Sequence, residues 1–234
     1  MKDERDERIE ALKDLADELR LNGGATDFFE MIDKKTQSFF TLMAYYRCAM
    51  MEIETKLNVL DEEFSLRYDR NPINSIKSRL KTVRSIKEKL DRKDLAMTVD
   101  NVEKYINDVA GLRVVCSFPD DVYMLADALL QQDDITLIKK KDYIADPKKN
   151  GYRSLHLIIE VPIFLAREKR MMKVEIQLRT IAMDCWASLE HQLRYKKDFD
   201  FTDEMAGELL RCAELSAELD SRMDDLRRLV TDDN

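Results

Sequence analysis

The spacing of apolar positions changes more than once along the 234-residue chain. Residues 3–21 repeat with a helical period: Ile9, Leu12, Leu15, Ala16 and Leu19 fall on one stripe. Asn22-Gly23-Gly24 supplies a C-terminal stop, since glycine accepts the left-handed cap conformation. A second helical run covers roughly 26–60, with the Phe28-Phe29 and Phe39-Phe40 pairs read as core. Asn71-Pro72 breaks the chain. Residues 73–93 predict a basic helix striped by Ile73, Ile76, Leu80, Val83, Ile86 and Leu90. Arg79, Lys81, Lys89 and Arg92 lie off that stripe. Thr98 or Asp100 caps a further helix through 109.

The period then shortens to two. Residues 111–118 predict a strand, Pro119-Asp120 opens a helix to about 131, and 136–144, 154–165 and 171–180 predict three more strands. Helices resume at 181–197 and about 203–230. The order, helices then βα then three strands then helices, predicts an α+β fold with one mixed sheet and helical arms at both ends.

Alternation divides each strand into two faces. Met172, Val174, Ile176 and Leu178 form an apolar face, and Lys173, Glu175, Gln177 and Arg179 a polar one. In the neighbouring strands Leu155, Leu157 and Ile159 oppose Ser154, His156, Ile158 and Glu160, while Leu112, Val114, Cys116 and Phe118 oppose Arg113, Val115 and Ser117. A polar row on one strand is equally well a solvated sheet face. Three strands together collect a carboxylate, an imidazole and guanidinium groups, and Asp108 lies just before the Arg113 strand. Two carboxylates among cations suit Mg²⁺, which takes few protein ligands and keeps its substrate phosphates. Arg and Lys neutralise phosphate charge as it shifts. The pattern points to phosphoryl or pyrophosphoryl transfer. The loop 142–154 adds Lys148, Lys149 and Arg153 beside Gly151. Its Tyr152 is either a nucleobase stacking platform or a core aromatic entering a strand.

Composition narrows the alternatives. Charged residues make up 37%, above the roughly 25% of an average protein, so the chain reads as soluble and helix-rich. The five glycines fit neither G-x-G-x-x-G nor G-x-x-x-x-G-K-[ST], so any phosphates are held by side chains. A net charge of −8 argues against broad binding of duplex nucleic acid, though not against a local basic cleft. Two histidines and four widely spaced cysteines make a zinc site improbable, and the cysteines read as buried thiols in a reducing cytoplasm. MKDERDERIE is not a signal peptide, and no stretch reaches the roughly 18 apolar residues of a membrane span.

Four blocks in order resemble the synthetase domain of the RelA/SpoT family, most of all its small alarmone synthetase branch. They are Ser78-Arg-Leu-Lys81, Asn107-Asp-Val-Ala-Gly-Leu-Arg113, residues 142–156 through Asn150-Gly-Tyr-Arg-Ser-Leu-His156, and Val174-Glu-Ile-Gln-Leu-Arg through Glu190-His191. The resemblance covers about 70–197. It implies a nucleotidyltransferase-like mixed sheet of four to five strands in one synthetase domain, with residues 1–70 as a helical arm, 71–197 as the core and 198–234 as the C-terminal helix. The reaction it implies moves the β,γ-pyrophosphate of ATP to the 3′-OH of GDP or GTP, giving ppGpp or pppGpp and AMP. By resemblance Asp108 and Glu175 hold Mg²⁺, and Glu175 is the base. Arg79 and Arg113 sandwich adenine, while Lys81, Lys89 and Arg92 hold the ATP phosphates. Tyr152 stacks on guanine, Lys148 and His156 meet acceptor or transferring phosphates, and Gln177, Arg179 and Asp184 complete the acceptor side. A homo-oligomer, a tetramer by resemblance, is expected through the terminal helix. Single-stranded RNA is an open partner.

The chain departs from the family's pattern in places. Asp184 stands where many relatives carry Asn, and an ionised Asp cannot donate. Ser75 and Lys77 stand where tetrameric relatives carry an aromatic residue and a threonine near an allosteric nucleotide site. There is no His-Asp dipeptide, so the family's hydrolase activity is not expected. Two alternatives compete: a toxin-like relative acting on tRNA 3′ ends or adenine nucleotides, and a protein that only binds nucleotides or RNA.

Overall fold

The computed structural model describes residues 25–68, 70–194 and 201–232. The expected 3–21 helix and its glycine stop lie outside them. Two compact units divide at Ala44/Tyr45. Helix α1 runs Ala25–Tyr68, longer than its apolar period predicted. In the first unit Phe40 is exposed, contrary to the core reading of its pair. Adjacent helical residues project about 100° apart, so one face cannot take both.

In the second unit α1 buries Tyr46, Ala49, Met50, Ile53, Leu57, Leu60 and Phe64, a three-four repeat. The elements that follow are β1 (Ile73–Leu80), α2 (Val83–Asp91), α3 (Val99–Tyr105), β2 (Ala110–Cys116), α4 (Pro119–Leu130), β3 (Thr136–Asp142), β4 (Leu155–Phe164), β5 (Lys169–Thr180), α5 (Ile181–Arg194) and α6 (Asp203–Asp232). The strands form one five-stranded sheet in the order β1-β2-β5-β4-β3. Only β2 and β5 pair in parallel. The mixed α+β architecture expected from the element order is the one found.

The predicted alternation sets the core. Leu112, Val114, Leu155, Leu157, Ile159, Val174, Ile176 and Leu178 are all buried on one face. Helix α4 packs on β2 and β5 through Val122, Leu125, Ala126 and Leu129. Its Asp121 accepts the Phe118 N–H at 3.2 Å and a hydrogen bond of 2.8 Å from Arg70.

Residues 73–80 are a strand, not the first half of a helix. A register shift between Ile73 and Ser75 explains the misleading spacing. With it, Ile73, Ile76 and Leu80 pair Cys116, Val114 and Ala110, all on the core face, although their spacing is three and four. The helix starts later, where Thr82 accepts the Ser85 N–H at 3.2 Å as a cap. Thr98 caps α3 in the same way, and that helix ends at Tyr105, short of the expected 109.

On the last two helices the regular apolar stripes face outward. Ile181, Cys185, Leu189 and Leu193 of α5 are exposed, and Met183, Trp186 and Ala187 are buried. On α6 the buried positions are Ala213, Asp220 and Asp224, while Leu215, Leu219, Met223, Leu226, Leu229 and Val230 are exposed. Polar anchors account for this: Trp186 Nε1 donates to the Leu209 carbonyl at 2.8 Å, and Thr180 Oγ1 donates to Asp220 at 2.6 Å. Of the cysteines only Cys116 is buried; Cys48 is half-buried, and Cys185 and Cys212 are exposed, which corrects the expectation of four core thiols. No described helix is long and apolar enough to cross a membrane.

Candidate active site

Strand pairing collects the predicted residues on the sheet face opposite the core. Gly111 lies beside Arg79 on β1 and Glu175 on β5, and Arg113 beside Lys77 and Gln177. On β4, Ile158 adjoins Glu175 and His156 adjoins Gln177. Arg79 and Arg113 are thus diagonal neighbours on one face. Glycine at 111 leaves the face between Arg79 and Glu175 without a side chain, a signal the sequence carried in the Ala-Gly-Leu-Arg block.

One cluster surrounds Asp108, in the segment between α3 and β2. Its Oδ2 accepts from Lys81 Nζ at 2.7 Å and Lys89 Nζ at 2.8 Å. Burial alone would raise this carboxyl's pKa, but the two ammonium groups outweigh it and hold it below the usual range. Oδ1 is buried and has no hydrogen-bond partner. Arg92, grouped with these lysines by resemblance, is exposed at the end of α2, and its Nε donates to the Glu88 carbonyl at 3.3 Å.

A second cluster surrounds Glu175. Gln177 Nε2 donates to Oε2 at 3.1 Å, and His156 Nδ1 lies 3.4 Å from Oε1. Burial pushes this carboxyl up; His156 and Gln177 overcome that and hold it below the ordinary glutamate range, with Asp108 opposing them. Beyond His156, the Tyr152 hydroxyl sits 2.8 Å from Nε2. Arg179 Nη2 donates to that hydroxyl at 2.7 Å and to Gln177 Oε1 at 2.9 Å. Asp184 Oδ1 is 3.2 Å from Arg179 Nη1 and 3.3 Å from Arg113 Nη1.

The loop before β4 presents aromatic rings. Tyr152 packs against Trp186, Ala187 and Ala213, so it is partly a core aromatic. Lys148 Nζ lies 4.6 Å from the Tyr143 ring centroid and 4.5 Å from that of Tyr152. Sequence reasoning missed Tyr143, whose ring meets both Tyr152 and His156 edge-on. Gly151 turns the loop at φ 88°, and a Cβ there would collide with that of Ala213. Gly151→Ala is therefore expected to destabilise the fold by roughly 1–3 kcal/mol in a denaturant titration. Part of that loss should return in Gly151→Ala/Ala213→Gly.

Among the described residues no group of three or more His, Cys, Asp or Glu side chains could hold a metal ion. Asp108 Oδ1 is nevertheless an unpaired buried acceptor, and Glu175 feels the Asp108 charge. Two such carboxylates fit a hard divalent cation whose other ligands come from phosphates and water.

Residues 78–200 match the family described as a region found in RelA / SpoT proteins. The chain belongs to the RelA/SpoT family. The GTP pyrophosphokinase YwaC of Bacillus subtilis (strain 168) is 43% identical over 185 residues, 79% of this chain and 88% of the relative. The GTP pyrophosphokinase YjbM of the same strain is 35% identical over 197 residues, covering 84% and 90%. The crystal structure of small alarmone synthetase 1 from Bacillus subtilis bound to its product pppGpp aligns with a TM-score of 0.74 and 34% identity, covering 83% of this chain and 98% of that one. Small alarmone synthetase 2 from the same organism gives a TM-score of 0.74 and 40% identity, covering 81% and 98%. All thirteen candidate site residues, from Arg79 to Asp184, fall inside the segment shared with RelA/SpoT proteins.

Proposed function

We propose that the chain is a GTP pyrophosphokinase that moves the β,γ-pyrophosphate of ATP to the 3′-OH of GDP or GTP, forming ppGpp or pppGpp and AMP. The observation that carries this reading is the position of Glu175. It is a half-buried carboxylate below its ordinary pKa range, with the Asp108–Lys81–Lys89 cluster and two arginines toward one side of the face and the Tyr152 ring toward the other. A ribose hydroxyl is a poor nucleophile and needs an ionised base within hydrogen-bond reach. Glu175 is that base. Arg79 and Arg113 seat the adenine, and Lys81, Lys89 and Arg92 take the ATP phosphates. Tyr152 stacks on guanine, Lys148 meets the acceptor's phosphates, and His156 lies beside them between Tyr152 and Glu175. Gln177, Arg179 and Asp184 lie on the same side. Asp108 Oδ1 and Glu175 would hold Mg²⁺, which supplies charge neutralisation on the transferring group. Residues 71–197 are the catalytic core of one synthetase domain, working in the cytoplasm. The exposed stripe Leu215, Leu219, Met223, Leu226 and Val230 is the surface of a homo-oligomer, a tetramer by resemblance.

The test is product analysis with ATP labelled in its γ-phosphate, Mg²⁺ and each guanine nucleotide in turn. Label should pass to a new guanosine polyphosphate, and AMP should appear only when acceptor is present. Direct transfer is overturned by rapid AMP release from ATP alone or by label retained on denatured protein. Label arriving instead on tRNA or an adenine nucleotide would replace the guanine assignment.

A further inference from the structure

We propose that Arg179 is a positioning residue for the catalytic base, acting through two arms, one ending in a hydrogen bond to Glu175 Oε2 and the other in a close imidazole contact with Oε1. The proposal deepens the reading of Glu175 given above and rests on it.

A guanidinium nitrogen only donates. Arg179 Nη2 therefore gives its hydrogens to the Tyr152 oxygen and to Gln177 Oε1, at 2.7 and 2.9 Å. In the first arm the Tyr152 oxygen is an acceptor from Arg179, which frees its own hydrogen for His156 Nε2 at 2.8 Å. A neutral imidazole that accepts at Nε2 carries its proton on Nδ1, the atom 3.4 Å from Glu175 Oε1. In the second arm, Gln177 turns its oxygen to Arg179, so its amide nitrogen faces Glu175 Oε2 at 3.1 Å. All donor directions converge on one carboxylate. The hydrogen bond at Oε2 and the imidazole contact at Oε1 orient the carboxylate, and each oxygen keeps a lone pair for the 3′-OH proton or a cation.

Arg179 is itself held from behind by Asp184, which also meets Arg113. Its side chain is only 5% exposed, and its guanidinium lies 5.1 Å from the centroid of the Tyr152 ring. That leaves it little surface for a nucleotide phosphate. Its Nε is buried without a partner, so the side chain is placed for its two terminal nitrogens rather than for complete pairing. The role of Arg179 and Gln177 is to aim Glu175, and the Tyr152 hydroxyl works separately from its ring.

Steady-state kcat and KM for each substrate, with thermal melts, test this in Tyr152→Phe, Tyr152→Ala, Gln177→Met and Arg179→Ala. Tyr152→Phe keeps the ring. It should lower kcat by about tenfold, the equivalent of one net hydrogen bond, and leave acceptor KM within about twofold. Gln177→Met should give the same split. Tyr152→Ala should also raise acceptor KM on the order of tenfold through lost stacking. Arg179→Ala should lose more kcat than either single arm and regain part of it in millimolar guanidinium, with the wild type unaffected. Unchanged kcat in a folded Tyr152→Phe overturns the proposal. So does an acceptor KM that rises in Phe as much as in Ala, because the hydroxyl would then bind substrate. Should Arg179→Ala fail to fold, the two arm variants still decide. If the wild type uses another acceptor, the same split is read with that acceptor, and the positioning role stands or falls separately from the choice of guanine nucleotide.

Discussion

Glu175→Gln is expected to lower turnover by roughly 10²–10⁴-fold, the usual contribution of a positioned base, while the protein stays folded. The side chain projects from the polar face of β5, and its strand neighbours Val174 and Ile176 keep the core contacts. The amide preserves shape but cannot take the 3′-OH proton, and it offers a cation a weaker ligand. Stopped assays of AMP and product release measure the loss, and a circular dichroism melt checks the fold. Near-normal turnover in a folded variant would remove Glu175 from the mechanism. Because His156 and Gln177 hold the wild-type carboxyl below its ordinary range, it is ionised at neutral pH. The linkage follows the same sign. Its stabilising share is present above the ordinary glutamate value and is lost as pH falls through the lower folded one. Glu175→Gln should flatten that part of the acid limb of the stability curve.

Asp108→Asn is the second large effect. The substitution removes the negative charge between Lys81 and Lys89 and can turn an NH₂ group toward two ammonium groups. Hydrogen bonds to charged groups contribute about 1.5–3 kcal/mol, and the partial exposure of this cluster brings the expected loss of stability to the lower end. The larger consequence is for activity. Without the free carboxylate oxygen, the midpoint of Mg²⁺ activation should move up by at least about tenfold, and kcat at saturating Mg²⁺ should fall by roughly 10²-fold or more. A variant with reduced stability but an unchanged Mg²⁺ curve would make Asp108 only an anchor for the lysines.

Much of this site could be read from the chain because strands announce their faces. Met172 to Arg179 alternates without interruption, so the separation of Glu175, Gln177 and Arg179 from Val174, Ile176 and Leu178 needed no structure. The edge strand β1 was harder. Its bulge puts residues spaced by three and four on one face, and the same spacing describes a helix. On helices α5 and α6 the period leaves open which way the apolar stripe faces. Their apolar stripes are real, but Trp186, Thr180 and Asp220 anchor the opposite side, so the stripes face outward.

The sequence by itself determined the α+β class, the apolar and polar faces of β2, β4 and β5, the inventory of charged groups and the family. These are local properties, written within a few residues of one another, and period and residue chemistry suffice to read them. Only the tertiary structure decided which charges meet. Lys81 and Lys89 reach Asp108 across 27 and 19 positions of chain, and Tyr152 reaches Arg179 across 27. Those meetings depend on the parallel pairing of β2 with β5, on the bulge in β1 and on the turn at Gly151. A one-residue slip in any of these registers would send the same side chains to the other face of the sheet, and no local pattern records that choice.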